Sequence, residues 1–312
     1  MIPAAAIASE VDMTTPDWRE TEQNDPQFDG IEDWPTADIL VALAGGQIKA
    51  IEAVKDAIAP LSQAVEAAAN KLRSSEGRLV YAGAGTSGRL AILDGIELTP
   101  TFGWPPERCV FLFAGGMSGL QKAVEGAEDD TKAALKDTKA AQLTPDDVVI
   151  GLAASGTTPY TRKIIAFAKE VGALTIGLAN NSDAPLLKEA EIGILLRTGP
   201  EVLAGSTRLG AGTSQKVALN LFSTALMAKL NKIHRGLMVD VLTTNDKLVA
   251  RAIRMITDLT GCTHDTATDA LRAANNHVKT AVLIVEGCDP AQAAERLRTH
   301  DGHLSRALKS LK

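Results

Sequence analysis

The sequence predicts an α/β fold in which one five-stranded parallel sheet is sandwiched by helices, with further helices before it and a small all-helical module after it. Short apolar segments rich in β-branched residues alternate with stretches of helical periodicity, and they lie at residues 78–83, 109–114, 147–153, 173–179 and 192–197. This alternation is typical of right-handed βαβ crossovers, which produce a parallel sheet covered on both faces. A chain of 312 residues can also bury a core large enough for such a domain and an appendage.

Residues 1–35 are predicted to form an N-terminal arm. They are polar, acidic and proline-containing, and they show no sustained hydrophobic period. Disorder is the alternative for a segment of this composition. Trp18 and Trp34 argue against it, because tryptophans in a short polar segment usually dock against a folded surface. We therefore expect an extended arm that packs on the domain.

The α/β domain is predicted to span residues 36–243, and its first forty residues or so are helical. Apolar side chains recur there at helical spacing, with interruptions at Gly45-Gly46 and Pro60, so two or three helices are expected outside the sheet. Residues 244–312 carry only helical periods. They predict a C-terminal module of three or four helices.

Two loops of small residues stand at the ends of predicted strands. One is GAGTSGR at 83–89, and the other is AASGTTP at 153–159, where Thr158 is the expected N-cap and Pro159 the first helical residue. Backbone N–H groups in such loops, and the positive end of the helix that follows, favour a bound phosphate. A third loop rich in Gly, Ser and Thr, at 205–214, precedes another long helical pattern. Several such loops on one sheet predict an anion site.

The first loop also spells G-x-G-x-x-G through Gly83, Gly85 and Gly88. A dinucleotide site would need an acidic residue at the end of the next strand, to bind the ribose. That strand ends instead in Ala-Gly-Gly at 114–116, and no G-x-x-x-x-G-K-[ST] occurs in the chain. Two ordinary tight turns would explain one glycine loop but explain two on one sheet poorly. A phosphate site is therefore favoured over a dinucleotide site.

The composition limits the partners of the chain. A formal net charge of −6 and a pI near 5.5 argue against nucleic acid, which needs a concentrated basic face. No stretch approaches the apolar run that spans a membrane, and the N-terminus lacks the features of a secretory signal, so a cytoplasmic protein is expected. An anionic small molecule would be held by local dipoles and by a few cations, for which Arg89, Arg208 and Lys216 are candidates.

Three glutamates near the loops are candidates for acid–base chemistry. Glu97 lies at the end of the helical segment that follows the first loop, and Glu125 and Glu128 follow the second strand. Most glutamates at helix ends are solvated surface groups, which is the alternative for each of them. Metal binding is not indicated. The three cysteines have no C-x-x-C spacing, and His300 and His303 lack a nearby carboxylate cluster.

Several segments carry more specific motifs. They are GAGTSGRL at 83–90, PTFG at 100–103, VEGAED at 124–129, AASG at 153–156 with TPY at 158–160, GS at 205–206 with Arg208, AGT at 211–213 with QK at 215–216, and LMVDV at 237–241 with TN at 244–245. Together these motifs resemble the N-acetylmuramic acid 6-phosphate etherase family. Thr21-Glu22 with Asn24 is similar to the family's N-terminal motif, so the resemblance runs from the arm to the C-terminal module.

The resemblance implies a sugar isomerase (SIS) domain and a lyase activity. Etherases of this family cleave the D-lactyl ether of N-acetylmuramic acid 6-phosphate, giving N-acetylglucosamine 6-phosphate and D-lactate in the recycling or catabolism of cell-wall amino sugars. By motif position the two catalytic glutamates fall on Glu97 and Glu128. Glu97 is expected to protonate the lactyl oxygen and Glu128 to remove the C2 proton, with the division of roles open and Glu125 as the alternative to Glu128.

The same resemblance implies the binding residues and the assembly. The candidates for binding the phosphosugar are Thr86, Ser87, Gly88, Ser155, Gly156, Thr157, Thr158, Ser206 and Thr207. Two carboxyl groups with separated pKa values suffice for the proton transfers, so neither a metal nor another cofactor is expected. SIS-type sites are commonly completed across a two-fold interface, so a homodimer is expected. His234 could touch substrate from a partner subunit, although an ordinary histidine near a helix end is the simpler interpretation.

The chain departs from the family pattern at a few positions. Leu98-Thr99 stands where Cys-Pro is usual, Thr157 replaces a frequent Arg, and the segment 231–235 differs from a common Gly-Lys start.

Two other functions stay open. A phosphosugar aldose–ketose isomerase would use the same C2 deprotonation without releasing lactate. A non-catalytic sugar-phosphate sensor, similar to the glucokinase regulatory protein, would not need paired glutamates.

Overall fold

A computed structural model of the chain describes residues 18–122 and 124–311, and it contains the expected parallel sheet. The strands are β1 (Leu79–Gly83), β2 (Cys109–Phe113), β3 (Val148–Leu152), β4 (Leu174–Ala179) and β5 (Ile192–Leu195). They pair in the order β2-β1-β3-β4-β5, with every neighbouring pair parallel. The predicted fold class is therefore confirmed, and each predicted strand overlaps an observed one.

The helices occupy the remaining stretches of helical periodicity. They are α1 (Thr36–Asp56), α2 (Ile58–Arg73), α3 (Gly85–Phe102), α4 (Gly116–Gln121), α5 (Thr131–Ala141), α6 (Pro159–Glu170), α7 (Pro185–Glu189), α8 (Gly210–Lys229), α9 (Asp246–Thr260), α10 (His264–Ala273), α11 (Val278–Val285), α12 (Pro290–Thr299) and α13 (Leu304–Lys309). None of these helices, within the ranges described, is both long and apolar enough to cross a membrane.

The sheet is buried on both faces because alternate residues of its central strands enter two separate cores. Leu79 and Tyr81 of β1 pack with α2, α3 and α8. Val80 and Ala82 of the same strand pack with α5, α6 and the start of α7. A strand with two apolar faces reads as a continuous hydrophobic run, which is why the sequence pattern located these strands.

The N-terminal segments differ from their predictions. Gly45-Gly46 does not interrupt α1, because Gly46 lies against Val202 and its small size permits that close approach. Pro60 falls in the first turn of α2, where proline is tolerated. The described part of the arm forms three single 3₁₀ turns instead of an extended chain, and Trp18 is 44% exposed. Residues 1–17 of the predicted arm lie outside the described residues.

The C-terminal helices form a core of their own. Apolar residues of α9 to α13 pack together with Val239 and Val241 of the connecting segment. Five helices are present where three or four were expected. Asn275 and Asn276 adopt positive φ and end α10 without a proline or glycine, and Asp301 with Gly302, both at positive φ, ends α12. The division into residues 1–35, 36–243 and 244–312 stays a prediction.

Candidate functional site

The loops after β1 and β3 lie at the point where the strand order reverses. β1 and β3 are neighbours at the centre of the sheet, and the chain leaves β1 toward β2 on one side and β3 toward β4 on the other. Ligands of open α/β sheets bind at such a switch point, outside the carboxyl ends of the strands. Both small-residue loops predicted from the sequence are brought together at this position.

The first loop requires two of its glycines. A Cβ on Gly88 would lie 2.6 Å from the ring of Phe113 and 2.8 Å from the carbonyl carbon of Gly83. The chain therefore turns tightly from β1 into α3, with Ser87 buried in the first helical turn and Thr86 half-buried. Free backbone N–H groups of that turn and the positive end of α3 point toward the switch point.

The second loop is held by its own hydroxyl groups. The Ser155 hydroxyl accepts hydrogen bonds from the Thr157 backbone N–H at 3.2 Å and from the Thr157 hydroxyl at 3.0 Å. Gly156 has φ of +69°, and a Cβ there would meet Ala184 at 2.3 Å. Thr158 and Pro159 occupy the predicted N-cap and first-turn positions of α6, but the Thr158 side chain makes no capping hydrogen bond. The predicted start of α6 is therefore confirmed.

The third loop contains Ser206 and Thr207 and leads into α8. A carboxylate of the same chain is already bound to the N-terminus of that helix. Glu201, 5% exposed, accepts hydrogen bonds from Gly210 N at 2.8 Å and Ala211 N at 2.9 Å. Burial raises the pKa of Glu201 above its ordinary value, against these two bonds. Because these N–H groups are satisfied internally, the start of α8 is not an open phosphate site. The sequence analysis missed Glu201, which lies nine residues before the helix it caps.

A residue of the arm joins the second and third loops. Thr21 is fully buried, and its backbone N–H and hydroxyl bond to the side-chain amide of Asn181, both at 3.2 Å. The same amide donates to Ala154 O at 2.9 Å, beside the second loop, and Gly205 N donates to Thr21 O at 2.8 Å, beside the third. The arm therefore docks through a small polar residue that the sequence analysis did not single out, and of the two tryptophans expected to dock Trp34 is half-buried and Trp18 is 44% exposed.

Glu128 lines a cleft of about 280 Å³ next to the first loop. Ala84, Gly85 and Arg89 also line this cleft. Arg89, a candidate cation for the anion, therefore lies at this cleft, and its Nε and one terminal nitrogen also anchor α4 by donating to the carbonyls of Leu120 and Gly119, at 3.0 and 2.8 Å. Glu125 lines the same cleft, so the structure does not separate it from Glu128.

Glu97 lines a different cleft, between α3 and α8, of about 190 Å³. It is exposed, and the buried carboxyl of Asp94 lies one turn before it. Asp94 accepts hydrogen bonds from the side chains of Tyr81 at 3.1 Å, Asn220 at 2.8 Å and Ser223 at 3.1 Å. Burial raises the pKa of Asp94 despite these bonds. The sequence analysis missed this network, whose members come from β1, α3 and α8.

The two candidate catalytic glutamates are not brought together within one chain. Ten residues separate Ser87 from Glu97 along α3. At about 1.5 Å of rise per residue the two positions lie roughly 15 Å apart along the helix axis. Glu128, in contrast, lies in a 3₁₀ turn (Ala127–Asp129) beside the first loop.

The histidines and cysteines singled out from the sequence have structural contacts. His234 Nδ1 lies 3.1 Å from the Ser305 hydroxyl, and burial, helped by nearby cations, lowers the pKa of His234. His303 caps α13 by accepting from Arg306 N. Burial raises the pKa of the Cys109 thiol to about 12, as expected for a core cysteine. No group of three or more potential metal-ligating side chains occurs in residues 18–122 and 124–311.

Comparison with known proteins identifies relatives over nearly the whole chain. A family model described as the glucokinase regulatory protein N-terminal SIS domain matches residues 60–169, and a model of the SIS domain matches residues 117–225. A solved phosphoheptose isomerase from Francisella tularensis is 16% identical, with a TM-score of 0.45, over 62% of this chain and 100% of that chain.

Two curated relatives carry the same name. The N-acetylmuramic acid 6-phosphate etherase of Deinococcus radiodurans is 48% identical over 297 residues, which are 95% of this chain and 96% of the relative. The N-acetylmuramic acid 6-phosphate etherase of Yersinia pestis is 43% identical over 289 residues, 92% of this chain and 98% of the relative. With this identity sustained from the arm to the C-terminal helices, the chain belongs to the N-acetylmuramic acid 6-phosphate etherase family.

Proposed function

We propose that the protein cleaves the D-lactyl ether of N-acetylmuramic acid 6-phosphate and releases N-acetylglucosamine 6-phosphate and D-lactate. The observation that carries the proposal is the Glu128 cleft, which opens beside two Ser/Thr loops at the switch point of the sheet. The chain's relatives bear the etherase name over 95% of its length. We place the reaction in the cytoplasm, because sugar phosphates are intracellular metabolites.

The chemistry fits two carboxyl groups without a cofactor. In the open-chain sugar the C2 proton is acidic because it lies next to the C1 aldehyde, and Glu128 removes it as general base. The lactyl oxygen on C3 is then a β leaving group, which Glu97 protonates as general acid. Water adds back to the unsaturated aldehyde at C3. Backbone N–H groups or hydroxyls near the aldehyde oxygen stabilise the enolate.

The phosphate group fits the first two loops. Ser87 and Thr86 lie in the open first turn of α3, and Ser155, Thr157 and Thr158 precede α6, whose N-terminus has no side-chain cap. Two positive helix ends thus converge on one anion. Gly88 and Gly156 allow the close backbone packing of these loops, and Ser206 and Thr207 border the site from the third loop.

The location of Glu97 supports a homodimer with shared sites. The axial distance of roughly 15 Å from Ser87 exceeds the length of a hexose between its phosphate and C3. The surface of α3 around Glu97 is apolar and open, with Leu93 and Ile96 both more than half exposed. Leu40, Val41, Ile48 and Ile51 of α1 and Leu221 of α8 are exposed as well, and both α1 and α3 pack against α8. Exposed apolar side chains in such number are typical of an interface. We infer that Glu97 of one copy serves the substrate held by the loops of the other.

Incubation of the purified protein with N-acetylmuramic acid 6-phosphate tests the function. D-Lactate should appear, and in heavy water the N-acetylglucosamine 6-phosphate should carry deuterium at C2, because the base returns a solvent-exchanged proton. A ketose phosphate without lactate would favour the isomerase, and binding without turnover would favour the sensor. Lactate release without deuterium at C2 would contradict the elimination mechanism.

A further inference from the structure

The cleft that contains Glu97 has a second chemical feature, a lysine. Lys216 lies on α8 across the cleft from Glu97, and its ammonium group donates a hydrogen bond to the side-chain oxygen of Asn220. The Asn220 amide in turn donates to Asp94 at 2.8 Å. Because an ammonium group has three donors, Lys216 keeps two N–H groups for a ligand after this contact.

The other walls of the cleft are apolar. Leu90 and Leu93 of α3 line it together with the polar residues. Leu93 is 52% exposed, so its side chain is accessible to a ligand. Lys216 is the cation among the lining residues, and the two lining carboxyl groups differ, because Asp94 is buried and accepts hydrogen bonds from three donors whereas Glu97 is exposed. The cleft therefore combines one cation, one exposed carboxyl group to which the proposed function gives the role of general acid, and an apolar wall.

This combination matches the group that leaves in the proposed reaction. The lactyl group carries a carboxylate, a methyl group and the ether oxygen on adjacent atoms. We propose that Lys216 binds the lactyl carboxylate, with the methyl group against Leu90 and Leu93 and the ether oxygen at Glu97. The cleft would then select sugars that carry a 3-O-lactyl acid. This inference rests on the proposed etherase function.

Lys216 is badly placed for the phosphate of the same chain. It lies six residues into α8, whose start is already capped by Glu201, and it lines the cleft of Glu97 instead of the cleft of Glu128. A phosphate group at the β1 and β3 loops and a carboxylate at Lys216 would place the two anionic ends of the substrate on separate cations and dipoles. Separate sites of this kind discriminate against sugar phosphates that lack the lactyl acid.

The test compares N-acetylmuramic acid 6-phosphate with its lactyl amide, which has the same shape without the charge. Wild type should favour the acid in kcat/KM by about 10- to 100-fold, the range of one hydrogen bond to a charged group. Lys216→Met should lose most of that preference by losing activity on the acid, while its activity on the amide stays near the wild-type value. Lys216→Arg should retain a preference for the acid. Lys229→Met, 13 residues further along α8, removes a lysine outside the cleft and should keep the wild-type ratio.

Two outcomes would overturn the inference. An unchanged acid-to-amide ratio in Lys216→Met would remove Lys216 from carboxylate recognition. An equal loss on both substrates would assign it a structural role. Failure of the etherase function itself is distinguishable, because wild type would then release neither lactate nor lactamide.

Discussion

Asp240 is a buried carboxylate with three cationic or titratable partners. Its Oδ2 atom lies 2.8 Å from Lys279 Nζ of α11 and 3.0 Å from Lys232 Nζ, and its Oδ1 atom lies 3.4 Å from His277 Nε2. Burial alone would raise the pKa of Asp240, but hydrogen bonds and cations outweigh it and hold the pKa at about 2. Lys279 is itself 3% exposed, so this carboxylate compensates a buried charge where the C-terminal helices meet the connecting segment.

The first prediction concerns stability in acid. A carboxyl whose pKa is lower in the folded than in the unfolded state stabilises the fold above its unfolded pKa, and that contribution is lost as the pH falls through the folded pKa. For Asp240 the loss spans about pH 4 to pH 2 and amounts to about 2 kcal/mol. Urea unfolding at several pH values should show this decline in wild type.

Asp240→Asn should lack that component and should be less stable at pH 7 by about 3 kcal/mol, because Lys279 is left without its counter-charge. Asp258→Asn, an exposed carboxylate on α9, is the matched control and should behave as wild type. Equal stability of Asp240→Asn and wild type at pH 7 would show that the buried pair contributes nothing net.

Ser155 carries the second prediction at this scale. If its loop binds the phosphate in the ground state and the transition state alike, Ser155→Ala should raise KM by about tenfold with little change in kcat. Steady-state kinetics measure the two parameters separately. Ser74→Ala, which lies just before β1 at the N-terminal ends of the strands, should change neither KM nor kcat. A fall in kcat at constant KM would instead give Ser155 a role in the chemical step.

Residue types and spacing predicted the loops but not the contacts inside them. Ser87 and Ser155 could be placed because a strand followed by small residues is a local pattern. Glu201 and Thr21 were missed because each acts on a segment distant from it in sequence, through hydrogen bonds that only the folded chain creates. Arg89 was proposed for the anion from its charge alone, and the bonds by which two of its donors also hold α4 could not be read from the sequence.

At the scale of elements, hydrogen bonds and an ion pair join the described part of the arm to the segments that follow β4 and β5. Beside the Thr21 contacts, the Glu20 carboxylate lies 3.0 Å from Arg197 Nε and accepts from the Ser182 hydroxyl at 2.8 Å. Arg197 is largely exposed, and an exposed ion pair of this kind contributes little. The buried Thr21 and Asn181 pair should therefore dominate the docking.

The third prediction tests that docking by proteolysis. Thr21→Val keeps the shape of the side chain and removes the hydroxyl that accepts from Asn181, at a cost of about 1 kcal/mol. Tryptic cleavage after Arg19 should become about fivefold faster, because opening of the arm becomes more frequent by that factor. Thr21→Ser should restore the wild-type rate, and Gln23→Ala, an exposed change on the same arm, should not alter it. Equal rates for Thr21→Val and wild type would exclude a role of the hydroxyl in docking.

The elements that were predicted best from the sequence are the strands whose residues are buried on both faces of the sheet. The apolar runs of β1 and β3 are buried along their whole length, and hydrophobic periodicity reports that environment directly. Helix breaks were predicted less well. Gly45-Gly46 suggested a break where tertiary packing keeps α1 continuous, and left-handed Asn275 and Asn276 ended α10 without a recognisable signal.

The whole molecule has its proposed catalytic groups on two separated surfaces. Glu128 lines the cleft beside the first loop, and Glu97 lies with Lys216 between α3 and α8, where Leu93 and Ile96 of α3 are also exposed. Each cleft of one copy therefore holds one of the two proposed catalytic glutamates. In the two-fold dimer that we propose, the lactyl cleft of one copy meets the phosphate loops of the other, twice per dimer.

The final prediction follows from that arrangement. Glu97→Gln and Glu128→Gln should each lose about a hundred- to ten-thousand-fold in activity. When the two variants are co-expressed and exchange subunits freely, about half of the dimers are mixed. If sites are shared, one of the two sites in each mixed dimer has both glutamates, so about a quarter of wild-type activity should return. As a control, mixing Glu97→Gln with the double variant should restore nothing, because every site then lacks Glu97. If each chain supplied both glutamates to its own site, the first mixture would also stay inactive, and an active monomer in light scattering would exclude the dimer altogether.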